Sequence, residues 1–456
     1  MNEYKNIMSV TDFGVIPNAE ELQTKAFQNA LDKIFLMGGG KLTVPAGRYR
    51  IGGIRIRSNT TLYLCSGAEL LGSRDPEDYH CIVSDTLEPL PEEQRTSVLW
   101  TRAGTPNRDF SFITCAGSRW NNALIRAAYA ENVNIIGEKG AVIDGCNPYD
   151  EIGEEHYRGP HGFNMHRCKN IHFEGYTIRN TGNWAHCMQF SESLSWKNIV
   201  VEGGHDGIHN RSCHDITIED SEFYVGDDCV AGFANYNVTV RNCLMNTACS
   251  GLRIGGTDIL IEGCRFVGPA RYLFRGSLSK EEKMSGAMAS ATGRNNMLSM
   301  FTYYADRSMK IPKQPENIVI RNCTVENCDR FIHYNFSGNE IWQLAAPLKS
   351  LILENIEAKN IHMPLTAYGS PELPLELTMK NISIKFSDEI ETQSFMHIAH
   401  IARLKLENVD IERLGKGPFI RSWSEGGEII FKNVKSSQDE ELKVTVTDEE
   451  FKCRAI

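Results

Sequence analysis

The chain has 456 residues, 41% hydrophobic and 23% charged, with Gly (38) far outnumbering Pro (16), which excludes a disordered or collagen-like protein. A formal net charge of −10 argues against nucleic acid as a partner, because phosphate binding rests on clustered Lys and Arg. The first residues hold no basic stretch followed by an apolar run, so the expectation is a cytoplasmic protein with no membrane anchor, or a secreted one if a leader has been removed.

In chain order, the first predicted element is a short helix over Thr24–Met37, ending at Gly38-Gly-Gly and capping the open end of a core. From Asn132 onward one block recurs: Asn or Asp, two or three alternating apolar residues, then Asn, Gly or Asp, often with Cys. It reads Asn132-Val-Asn-Ile-Ile-Gly, Asn170-Ile-His-Phe-Glu-Gly, Asn198-Ile-Val-Val-Glu-Gly, Asp215-Ile-Thr-Ile-Glu-Asp, Asn237-Val-Thr-Val-Arg-Asn-Cys, Asp258-Ile-Leu-Ile-Glu-Gly-Cys and Asn317-Ile-Val-Ile-Arg-Asn-Cys. The starts at Asp215, Asn237 and Asp258 are 22 and 21 residues apart, and later copies at Leu351, Leu377, Leu404 and Ile429 follow at 26, 27 and 25. Period-2 alternation sends one set of side chains into a core, while Asn and Gly serve corners that need positive φ. One such strand has nowhere to bury its apolar face, but stacked coils give it neighbours above and below. The leucine-dense pattern of a horseshoe repeat is absent, so the fold predicted is an all-β parallel β-helix forming a single domain over residues 1–456.

The repeat lapses near 75–122 and 268–313, and such insertions on a solenoid are expected to be surface loops that wall a site. The fourteen cysteines make no compact metal-binding pattern, and Cys243, Cys264 and Cys323 sit singly in the repeat as thiols facing the core. No metal and no cofactor are expected.

Three segments then stand one coil apart: Gly204-His-Asp-Gly-Ile-His, Gly226-Asp-Asp-Cys-Val-Ala and Cys249-Ser-Gly-Leu-Arg-Ile-Gly. Asp206 and Asp227 are 21 residues apart, and Asp228 and Ser250 are 22 apart, so the register stacks all of them on one face. Hydrolysis of a glycosidic bond needs one carboxylic acid to protonate the leaving oxygen and one carboxylate to activate water or attack carbon. Clustered like charges also help one carboxyl keep its proton. An isolated Asp-Asp pair would read as a turn device or a calcium ligand, and it is the three-segment register that favours catalysis by Asp206, Asp227 and Asp228. An inverting pair would stand roughly 6.5–9.5 Å apart. Around them, His205, His209, Ser250, Arg253, Trp184 and His186 are candidate substrate contacts. All but Ser250 have a structural alternative: a turn hydrogen bond for the histidines, packing for Trp184 and a carboxylate partner for Arg253. Tyr303, Tyr304 and Arg307 are weaker candidates.

These segments resemble glycoside hydrolase family 28, the polygalacturonase and rhamnogalacturonase family. The resemblance also takes in Val10-Thr-Asp-Phe-Gly, Val44-Pro-Ala-Gly-Arg-Tyr, Ser58-Asn-Thr-Thr-Leu-Tyr-Leu, Ile143-Asp-Gly and Asn180-Thr-Gly-Asn-Trp184. It implies a right-handed parallel β-helix and an inverting hydrolase of pectin-type, polygalacturonan- or rhamnogalacturonan-like oligosaccharides, with Asp227 as general acid and Asp206 and Asp228 activating water. The sequence departs from the family in three places. Its Asn-Thr-Asp is here Gly204-His-Asp, its Gly-His-Gly is Cys249-Ser-Gly, and its basic Arg-Ile-Lys has no match between Gly268 and Asn317. The last departure points away from plain homogalacturonan, with Arg253 as the one basic residue in the motifs placed to compensate. The competing readings are a β-helix lyase, which would need calcium or a strong base near the substrate's C5 proton, and a catalytically silent glycan-binding solenoid.

Overall fold

The computed structural model describes residues 4–79, 121–151, 158–285, 295–305, 313–336, 346–388, 394–415, 417–439 and 441–447. The fold is a right-handed parallel β-helix, with 56% of the described residues in strands. The described residues of 1–91, 109–227 and 271–294 form one compact unit, and those of 228–270 and 295–456 a second.

In the first unit the predicted helix runs over Thr24–Leu36, with Phe27, Ala30, Leu31 and Ile34 buried as one stripe. Gln28 fixes it to the first coils through its carboxamide, which accepts from the Arg55 backbone N–H and donates to the Arg55 carbonyl. Equivalent residues of successive coils pair in register, so the core is made of columns. Ile54, Ile125, Phe163, His186 and Ile208 form one, and Ile135, Phe173, Trp196 and Ile218 another. In the second unit Ile259, Ile318, Leu351, Leu377, Leu404 and Ile429 make the corresponding column.

The recurring asparagines occupy left-handed corners: φ is 55° at Asn355, 55° at Asn381, 54° at Asn408 and 53° at Asn433. Asn tolerates this region better than most side chains. Each carboxamide also donates to the carboxamide one coil away, Asn381 to Asn355 at 2.8 Å, Asn408 to Asn381 at 2.9 Å and Asn433 to Asn408 at 2.9 Å. The corner residue therefore serves both the turn and the stacking.

All eleven described cysteines are free thiols, most of them buried, and burial pushes Cys168 and Cys213 up to about 12. Of the two lapses in the repeat, 75–122 lies largely outside the described residues. The other is interrupted where the sequence showed no repeat: Met297–Tyr303 is a strand, paired through Ser299 with Ser250 and with Arg330. It escaped notice because, although Asn295 and Asn296 precede it, it lacks the β-branched alternation and the closing Asn, Gly or Asp of the block. Among the described residues no helix is long and apolar enough to cross a membrane.

Candidate active site

In the first unit Asp206 stands just before the strand Ile208–Arg211, and Asp227 follows Glu222–Val225 one coil on. The backbone N–H of Gly226 donates to the Gly203 carbonyl at 2.7 Å, which ties the two turns together. Carboxylate oxygens of Asp206 and Asp227 lie within 4.8 Å of each other. This is closer than the 6.5–9.5 Å expected of an inverting pair. The reason is the scaffold: the two residues sit at facing turns of adjacent coils, and adjacent coils are stacked at the spacing between parallel strands, about 4.8 Å.

Asp206 is 4% exposed, and its Oδ2 lies 2.7 Å from Nδ1 of His209. The Nε–H of Arg211 donates to Nε2 of the same ring at 3.3 Å, which leaves Nδ1 to carry the proton that His209 gives to Asp206. Trp184 holds the imidazole flat, with ring centroids 3.7 Å apart and planes 8° apart, and the Arg211 guanidinium lies 4.8 Å from the indole centroid. Trp184 is 5% exposed, so the sugar-stacking role considered for it gives way to one of positioning His209. His209 likewise orients a carboxylate.

Asp227 is more open, its side chain 14% exposed, and its Oδ2 lies 3.6 Å from the Arg158 guanidinium. Arg158 also donates to Asn183 at 3.1 Å, and its backbone bridges to Tyr149. No repeat pattern marks this arginine, which lies in the irregular stretch between two blocks. Arg211 was readable, two residues from His209 and on the same side of its strand. A hard cation could in principle share Asp206 and Asp227, but Arg158 already supplies positive charge beside Asp227.

Two histidine expectations are corrected. His186 is fully buried in the column between Phe163 and Ile208, where its Nδ1–H donates to the Gly207 carbonyl at 3.1 Å and Tyr176 donates to its Nε2 at 2.9 Å. Burial pushes it down to about 3, so it is a neutral core residue rather than a sugar contact. His205 is 2% exposed, and burial, then Arg158 and Arg275, hold it well below its ordinary value. It too is neutral and screened from a ligand.

The chain near Leu273 explains why the family's Asn is Gly204 here. A Cβ at Gly204 would come within 2.7 Å of the Arg275 Cβ, and one at Gly226 within 1.9 Å of the Leu273 carbonyl oxygen. Arg275 is 3% exposed and fastens this segment through Asn147, Thr181 and Lys283.

In the second unit Asp228 is nearly buried, its side chain 3% exposed. It accepts the Ser250 backbone N–H at 3.0 Å and lies 3.7 Å from the Arg253 guanidinium. Arg253 also lies 4.5 Å from the Tyr304 ring centroid. Its charge is thus directed at Asp228, which is the structural alternative considered for it. Ser250 contributes its backbone to Asp228, while its hydroxyl donates to Thr302 at 3.1 Å.

Residues 110–258 match the family described as glycosyl hydrolases family 28. The resemblance carried by the motifs is therefore borne out, and Asp206, Asp227, Asp228, Ser250 and Arg253 all fall inside the matched stretch. A "Probable polygalacturonase" of Vitis vinifera is 30% identical over 245 residues, covering 50% of this chain and 45% of that protein. The chain spans less than half the length of the curated relatives it matches. Among solved structures, a hyperthermoactive exopolygalacturonase of Thermotoga maritima aligns with a TM-score of 0.60 at 18% identity, covering 89% of this chain and 92% of that one. PfbA, a surface adhesin of Streptococcus pneumoniae, aligns with a TM-score of 0.58 at 14% identity, covering 92% and 93%. A scaffold shared by an exopolygalacturonase and an adhesin does not decide function, which has to be argued from the site.

Proposed function

We propose that the protein is an inverting glycoside hydrolase of pectin-type oligosaccharides, with Asp227 as general acid and Asp206 and Asp228 activating water. The observation that carries the hydrolase reading is the pairing of Asp206 and Asp227 within 4.8 Å, with Asp227 the more open of the two; the inverting course rests on the family resemblance and not on this separation. An acid must reach the leaving oxygen, and a base is best held in one orientation. The first condition suits Asp227 and the second suits Asp206, braced by His209. Whether Asp227 keeps its proton depends on two opposing neighbours: the Asp206 charge favours retention, and the Arg158 guanidinium at 3.6 Å favours loss.

The substrate is proposed to place a neutral sugar such as rhamnose beside the scissile bond. With no Arg-Ile-Lys and with Arg253 turned toward Asp228, a galacturonate there would lack charge-assisted hydrogen bonds of roughly 1.5–3 kcal/mol each. Two such losses amount to about 10²-fold or more in binding.

The test is incubation with rhamnogalacturonan and homogalacturonan oligosaccharides, following reducing ends, ultraviolet absorbance and the first anomer formed by NMR. New reducing ends of inverted configuration without unsaturated products are expected, faster on rhamnogalacturonan. Unsaturated products would replace the reading with a lyase, retained configuration would remove the inverting mechanism, and inertness on every glycan would leave a binding solenoid.

A further inference from the structure

Beyond the aspartates, the second unit carries outward columns of its own. Ala231, Arg253, Thr302, His333, Thr366, His397 and Arg421 stand in register on successive coils. Beside this column, at the bend of each coil, Ser250, Ser299 and Arg330 are also in register. Ser299 touches Thr302, three residues on in its own coil, and Arg330 likewise meets His333, its Nη1 donating to Nδ1 at 3.3 Å. Arg330 therefore leans into the column.

Among the described residues, Arg330 is acted on by the Tyr368 hydroxyl and by Asp329. Arg330 Nε and His397 Nε2 are buried with no hydrogen-bond partner among the described residues. The acid next to Arg330, Asp329, is engaged by His362 at 3.2 Å and by Asn296 at 3.4 Å. Arg421 and Arg330 both act on His397, and burial together with these two cations pushes it down to about 4. Two aromatic rings complete the patch, both only partly buried: Trp423 lies edge-on to His397 at 5.0 Å and to Tyr368 at 6.0 Å. Burying the Arg330 Nε–H without a partner among the described residues costs free energy. In a chain of net charge −10, such a patch is suited to an anionic group.

We propose that Arg330, His397 and Arg421, with Tyr368 and Trp423 as apolar walls, form a binding site for the carboxylate of a uronic acid sugar. Guanidinium groups match a carboxylate's geometry, and partly exposed rings suit the C–H face of a pyranose. At about 4.8 Å per coil, His397 stands five coils, roughly 24 Å, beyond the coil that begins after Asp228. The site is thus remote from Asp228. It deepens the hydrolase reading, on which it rests for its substrate class: a neutral sugar at the scissile bond and an acidic one far along the chain are both found in an alternating rhamnose and galacturonate polymer. The carboxylate has two sources, a distant residue of a long substrate or a free uronate.

The experiment is calorimetric binding to an Asp227→Asn protein, so that turnover plays no part, using a galacturonate hexamer, the same hexamer with its carboxyls reduced, and galacturonate itself. Arg421→Gln and Arg330→Gln are each expected to weaken hexamer binding about tenfold or more, with the reduced hexamer unaffected and Arg421→Lys retaining most of the affinity. Galacturonate binding that Arg421→Gln abolishes would identify free uronate as a ligand, and binding seen only with the hexamer would identify a distal subsite. Both sustain the proposal. Unchanged hexamer affinity in both Gln variants, or an equal loss for the reduced hexamer, overturns it. If Arg330→Gln fails to fold, Arg421→Gln still decides. Should wild-type protein cleave no glycan while charge-selective binding persists, the hydrolase reading fails and the binding site stands.

Discussion

Around the first unit's aspartates the charged groups are committed to one another, whereas on the second unit's later coils some are not. Arg211 serves His209, His209 serves Asp206, and Arg158 serves Asp227. Arg330 and His397, by contrast, keep buried nitrogens without partners among the described residues. The same backbone and the same alternation thus give two kinds of polar face. One commits its charged groups to one another and so holds a few of them in fixed geometry, as chemistry requires. The other leaves donors uncommitted, as binding requires.

The most severe way to break the first face is Asp227→Asn, which is nearly isosteric but has no proton to give. Turnover should fall by roughly 10²–10⁴-fold with little change in melting temperature. Near-normal turnover would remove Asp227 as the acid. A subtler break is Arg158→Gln, which takes positive charge from beside Asp227. The proton is then easier to keep, so the alkaline limb of the kcat profile should move to higher pH, with kcat at the optimum changed by about tenfold or less. A limb that stays in place would mean that Arg158 is only a packing residue.

The smallest expected effect separates the outward histidines from the core one. His186 is pushed down to about 3 by burial, against an unfolded value near 6.5. Its contribution to stability is present above about pH 6.5 and is lost as pH falls toward 3, because the unfolded chain binds a proton there that the folded chain refuses. His186→Phe should flatten the decline in stability over that window by at most about 1.4 kcal/mol per pH unit, read from urea melts at several pH values. An unchanged slope would refute the assignment of His186 as a neutral core group.

The strands and their corners were legible because alternation and Asn punctuate them, and the aspartates because their spacing equals one coil. What was illegible has a common cause. On the strand His186–Gln189 all four residues are buried, so the contrast between inward apolar and outward polar residues that would have placed His186 in the core is missing. Trp184 and His205 were misread for the same reason, since the outward face near the site is also covered. Arg158 belongs to no repeat, and its relation to Asp227 arises only when the chain returns from an irregular stretch.

The close approach of Leu273 and Arg275 to Gly226 and Gly204 bears on engineering and on divergence. The family's Asn-Thr-Asp cannot be restored at 204–206 by exchanging two side chains, because the space its Asn would need is filled by another part of the chain. Motif and segment form one heritable module: a graft that carries only the motif meets a steric barrier, whereas one that carries both can transfer the site to another coil of the same solenoid.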